Sequence, residues 1–142
     1  MKPACLAVGL LGMPLFYELI DAGEVAVLAF GVLWGLLAVP AALALDRRVL
    51  SRSRYDHLLA LAAVLLGAVA SQVAWTSWWY SLGPGVGDPK GWEVGAYISA
   101  IACAAFAVLT ALGYGVALIV SKAARSLGAA EPTAAGRPRG PA

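Results

Sequence analysis

Three tryptophans and a tyrosine crowd into six residues, WTSWWY, from Trp75 to Tyr80. Trp75, Trp78 and Trp79 are spaced i, i+3, i+4, so on a helix they share one face. Such residues either line a binding site or anchor a helix end, because the ring sits among lipid headgroups while its N–H or O–H reaches water. Trp92 and Tyr97, beyond a Gly/Pro loop, and Tyr17 fall where the same membrane boundary is expected. Anchoring accounts for most of them. The density exceeds what anchoring needs and points to a candidate outer pocket made of Glu18, Gln72, Trp75, Trp78 and Trp92. Gln72 and Trp75 are expected to face inward, with Trp79 or Tyr80 toward lipid.

Other groups able to do chemistry are sparse. Glu18 is the only acid inside an apolar stretch. At 1.5 Å per residue it lies about 24 Å along a helix from Lys2, beside Asp21 and Glu24, as part of an acidic rim. His57 stands next to Asp56 with no Cys or further acid at ligand spacing, so no metal site is expected. Cys5 and Cys103 form no CxxC pair, which argues against a thiol oxidoreductase or a disulfide framework. The glycine-rich run GPGVGDPKG lacks the GK[ST] of a nucleotide-binding loop. There is no Ser/His/acid set and no pair of buried carboxylates, so neither a catalytic constellation nor a cofactor is expected. Gln72, Thr76, Ser77 and Thr110 remain as polar groups within apolar stretches; a hydrogen bond from Gln72 across helices would contribute about 1 kcal/mol.

The elements that would position these residues follow from composition. The chain has 142 residues, 61% hydrophobic and 13% charged, where soluble domains carry about 25% charged residues. A soluble domain this short could not hide so much apolar surface. Residues 3–20, 25–45, 58–82 and 94–121 contain no Lys, Arg or Asp, and a membrane-spanning helix needs roughly 20 apolar residues. The expectation is an all-α membrane protein, a four-transmembrane-helix bundle of two helical hairpins. Its helices should cover about 3–20, 25–45, 55–80 and 92–122, within a domain of residues 1–127. Residues 128–142, rich in Ala, Gly and Pro, read as a disordered cytoplasmic tail. Ser53 and Asp56 resemble a capping box opening the third helix, and Asp88 followed by Pro89 an N-cap before the fourth. Pro14 and Pro40 lie inside helices, as membrane spans tolerate. No A-x-A site follows the first stretch, so that helix is expected to be retained.

Charge placement orients the bundle. Arg47, Arg48, Arg52 and Arg54 lie between the second and third stretches, Lys122, Arg125, Arg137 and Arg139 follow the fourth, and Lys2 precedes the first. The other connections hold only Lys90, beside Asp21, Glu24, Asp88 and Glu93. Basic residues are retained on the cytoplasmic side, which puts both termini and the arginine loop in the cytoplasm and the protein in the plasma (inner) membrane. The four arginines set topology and touch anionic lipid, at around 1 kcal/mol each. The loop is too short and too close to the bilayer for a nucleic-acid partner. The bias toward Ala, Gly, Leu, Val and Arg suggests a GC-rich bacterial coding sequence.

Small residues recur every four positions along the last helix, at Gly95, Ser99, Cys103, Ala107, Ala111 and Gly115. Gly31 and Gly35 form a GxxxG in the second helix, and Ala63, Gly67 and Ser71 a similar row in the third. Such ridges let helix backbones approach where lipid offers no hydrophobic drive. They are expected to pack the bundle internally; a dimer face on the last helix is the alternative. With packing signals present and chemistry absent, the sequence reads as a non-enzymatic membrane subunit or accessory protein. Its partners would be the bilayer and another membrane protein or a second copy. The alternative, a small transporter or pore with the outer aromatic pocket, needs a continuous polar path that these helices scarcely supply.

Overall fold

The computed structural model describes residues 2–81 and 89–129, which form four helices: α1 (Pro3–Glu18), α2 (Glu24–Val49), α3 (Asp56–Ser81) and α4 (Pro89–Ala129). Three of them contain segments long and apolar enough to cross a membrane: Glu24–Val49, Asp56–Trp78 and Gly95–Gly128, of 26, 23 and 34 residues. The fourth, α1, has 16 residues and rises about 24 Å, short of a hydrocarbon core of about 30 Å. The architecture suits a helical membrane bundle. Its outward faces agree, since Leu11, Leu37 and Leu112 are more than half exposed, as side chains facing hydrocarbon would be.

Helix ends depart from the sequence expectation for local reasons. α1 stops at Glu18, and Gly23, with φ 109° in the left-handed region, lets the chain turn into α2. α2 continues past residue 45 to Val49 with Arg47 and Arg48 in its last turn, where cations complement the helix dipole. α4 runs through Lys122 and Arg125 to Ala129, so Gly128 and Ala129 are helical rather than part of a tail. The remainder of that tail, and Asp88 with the Gly/Pro loop, lie outside the described residues.

Packing does not follow the hairpins. The most extensive interfaces are α1 with α3 and α2 with α4; the hairpin contacts α1/α2 and α3/α4 are smaller. A Cβ built on Gly9 would overlap the carbonyl oxygen of Val64, and one on Gly67 that of Leu6. In the other pair, Gly35 sits against the carbonyl of Thr110 and Gly113 against that of Val32. The pattern is the same both times: each glycine meets the carbonyl three residues before its partner glycine. Reciprocal contact of this kind places two parallel backbones within Cα–H···O reach, and glycine is what permits it.

Between the two pairs lies an aromatic core. Phe16 and Phe106, both fully buried, meet edge to face at 5.4 Å between ring centres. Phe30 stacks on Trp34 at 5.2 Å, and Trp34 donates its indole N–H to the carbonyl of Val8 at 3.2 Å. Gly12 leaves room for that indole, since a Cβ there would overlap it. Alanine at Gly35 or Gly67 should separate a helix pair and cost about 1–3 kcal/mol, as overpacking does. A Cβ at Gly115 meets nothing within 4 Å, so G115A should change stability by less than about 0.5 kcal/mol. Thermal unfolding in a mild detergent, comparing the three variants, checks this.

Candidate functional site

The two ends of the bundle treat polar groups in opposite ways. At the arginine end, three charged side chains are almost fully buried: Lys2, Asp46 and Asp56. Asp46, near the end of α2, accepts the backbone N–H groups of Ala4 and Cys5 at 2.9 and 3.0 Å. The N–H groups of a helix's first turn have no intrahelical partner. Here Pro3 has none to offer, Asp46 takes the next two, and Leu6 donates to the carbonyl of Lys2. Lys2 supplies no side-chain cap itself, so α2 caps α1.

Asp56, the first residue of α3, holds two cations, Lys2 at 2.9 Å and Arg47 at 3.1 Å. Its carboxylate also accepts the Ser53 N–H at 3.1 Å, the reach-back arm of a capping box, while the Ser53 hydroxyl takes the Tyr55 N–H at 3.3 Å. Arg47 thus points into the bundle, whereas Arg48, Arg52 and Arg54 are exposed. His57 has a partner that sequence spacing does not reveal: its Nδ1 lies 2.5 Å from the hydroxyl of Tyr114 on α4. Among the described residues no three His, Cys, Asp or Glu gather as a metal site, and Cys5 and Cys103 are free thiols.

At the aromatic end, by contrast, a buried polar atom of the described residues is left without a partner. A cavity of about 450 Å³ opens between α1 and α3, and its walls include Glu18, Gln72, Trp75 and Trp78. The side chain of the fifth candidate, Trp92, lies outside the described residues, as do those of Trp79 and Tyr80. Gln72 is 7% exposed and its Oε1 has no hydrogen-bond partner. Trp75 is not turned into the core; it is 52% exposed and forms a wall with Trp78, 5.1 Å away between ring centres.

Gln72 also lines a second hollow, about 540 Å³, between α3 and α4, where Ser99 and Cys103 belong to the α4 side. A third, about 230 Å³, continues along the same two helices past Ala107, Thr110 and Ala111. Thr110 Oγ1 is likewise buried without a partner. The row from Gly95 to Gly115 therefore does not share one environment. Ser99, Cys103, Ala107 and Ala111 flank the α3/α4 groove, Gly95 is partly buried, and Gly115 faces open space. On α4 the close approach to α2 is made instead by Leu109, Thr110 and Gly113, against Gly31, Gly35 and Val32.

No family model, curated protein or solved structure matches this chain. Breaking a buried ion pair by removing one partner costs about 3–5 kcal/mol. Asp56→Ala, which removes the ion-pair partner of both Lys2 and Arg47, should be the most destabilising of the three variants. Lys2→Met should cost less, because Arg47 still neutralises Asp56. Asp46→Ala should lose about 1–2 kcal/mol as an N-cap deletion. Unfolding of the three variants in one detergent tests the order.

Proposed function

We propose that this protein is a non-enzymatic accessory subunit of the plasma membrane, a four-span bundle with both termini in the cytoplasm. It acts by seating a single transmembrane helix of another membrane protein in the groove between α3 and α4. The observation that carries the reading is the coincidence along one groove of small side chains and of a buried polar atom without a partner, Thr110 Oγ1. Small residues admit a close backbone, and a hydroxyl or amide on the incoming helix would satisfy that atom.

Shape favours a different protein over a second copy. A two-fold dimer presents the same patch from both sides, and a groove laid on itself stays unfilled. A lone helix is a ridge and fits. Topology rests on the arginine loop: Arg48, Arg52 and Arg54 are exposed at one end, and Glu18, Asp21 and Glu24 are exposed at the other. α1 completes the fourth crossing with the apolar Leu19 and Ile20 beyond its last turn.

Transport is less well supported. The described buried polar groups other than Gln72 and Thr110 are Lys2, Asp46 and Asp56, all at the arginine end. Between them lie Met13, Phe16, Val64 and Phe106, closely packed.

Two measurements test the proposal. In a protein with both native cysteines replaced, a cysteine at Ser51 should resist a membrane-impermeant maleimide added outside whole cells, and one at Ala22 should react. A photo-crosslinking residue at Ala100 or Ala107 should yield a discrete protein adduct that one at Leu37 does not. Filling the groove with Cys103→Trp should abolish that adduct without lowering thermal stability. Adducts with lipid only, or with a second copy, would refute the helix-docking reading.

A further inference from the structure

The cavity between α1 and α3 lies between a different pair of helices from the groove used above and shares only Gln72 with it. Its polar inventory is lopsided. Glu18 brings a carboxylate that has no ion-pair partner among the described residues. Gln72 brings a buried amide oxygen with none. Pro14, inside α1, has no N–H to give the carbonyl of Leu10 four residues earlier, and both residues line the cavity. Among the described residues no Lys or Arg contributes to the lining. Around these acceptors stand the rings of Tyr17, Trp75 and Trp78, whose faces attract cations. The remaining wall is apolar, and the volume of about 450 Å³ lies in the range of small-molecule sites.

We infer that this cavity binds an amphiphilic ammonium, an alkyl or aryl amine protonated at neutral pH. Its charge sits between Glu18 and the aromatic rings, one N–H is donated to Gln72 Oε1, and its apolar body lies along Leu10 and Pro14. The requirement for an N–H separates this ligand from a quaternary ammonium, which offers charge but no donor. The site is blind: the Gly9/Gly67 backbone contact closes the interface directly beneath Leu10 and five residues below Gln72. It therefore holds its ligand rather than passing it on. The same chemistry is carried by a free amphiphilic amine and by the primary ammonium of a phospholipid headgroup.

The test uses the full chain in nanodiscs of phosphatidylcholine, which lacks an N–H donor. Decylammonium, decyltrimethylammonium and decanol are titrated below their micellar concentrations, and binding is read from tryptophan fluorescence with protein-free discs subtracted. Decylammonium should bind saturably and at least tenfold more tightly than decanol. Glu18→Gln, at an exposed position, should weaken it about tenfold. Gln72→Leu should erase the preference for decylammonium over decyltrimethylammonium. Replacing part of the phosphatidylcholine with phosphatidylethanolamine identifies the source: competition with decylammonium assigns a headgroup, and its absence a free amine. Binding no greater than in protein-free discs, or equal affinity in wild type and E18Q, would overturn the inference. Because Cys103→Trp fills the other groove, amine binding that persists in that variant separates the fate of this site from that of helix docking.

Discussion

The bundle's shape depends on four glycines placed against four carbonyl oxygens. In hydrocarbon, apolar side chains gain nothing by leaving lipid for one another, so helices associate where their backbones come close. Gly9 with Gly67, and Gly35 with Gly113, create that closeness for α1/α3 and α2/α4. Among the described residues no such pair joins α3 and α4, and it is there that the groove remains. Toward the aromatic end, beyond Gly9 and Gly67, α1 and α3 carry Tyr17, Trp75 and Trp78 where smaller residues could have kept them together. Both openings are thus consequences of where the glycines lie.

A second constraint fixes the arginine end. Backbone N–H groups at a helix start need acceptors, and inside a membrane-embedded bundle water is a poor source of them. α1 has no capping side chain of its own; Asp46 supplies one from α2, and Asp56 draws Lys2 and Arg47 onto the start of α3. Three helix ends are joined through two carboxylates. Burying so many charges is tolerable because each carboxylate oxygen receives a donor, and satisfied networks of this sort specify one arrangement over others.

Much of this was legible in the residues, though unevenly. Charge spacing and apolar length suffice to outline four helices, and the capping signal at Ser53 and Asp56 marks where α3 begins. Pairing could not be read the same way. Gly31 and Gly35 announce themselves as GxxxG, whereas Gly9, Gly67 and Gly113 work through partners far away in sequence, and a single glycine carries no label for its carbonyl. Chain connectivity suggests hairpins, but turn length constrains only which helices are close, not which pack most tightly. Asp46 looks like a loop acid next to two arginines until α2 is seen to continue through it. At the aromatic end, Glu18, Gln72, Trp75 and Trp78 were identifiable by depth and type, since few residues there are polar or aromatic; their position on one cavity wall depends on the α1/α3 pairing.

The contrast between the two ends bears directly on function. A buried acceptor left without a donor costs about 1–3 kcal/mol, and native structures leave few of them without a reason. At the arginine end the buried carboxylates are fully engaged. The two unsatisfied buried side-chain atoms among the described residues, Gln72 Oε1 and Thr110 Oγ1, both line the openings that the glycines leave. Substituting Leu for Gln72 or Val for Thr110 would remove the penalty with little change in shape, so an isolated bundle would gain by losing them. Their presence makes sense if the donors come from outside the chain, from a neighbouring helix in the groove and from an ammonium in the cleft. The arginine end then holds the fold, and the openings along α3 are left to be completed by what they bind.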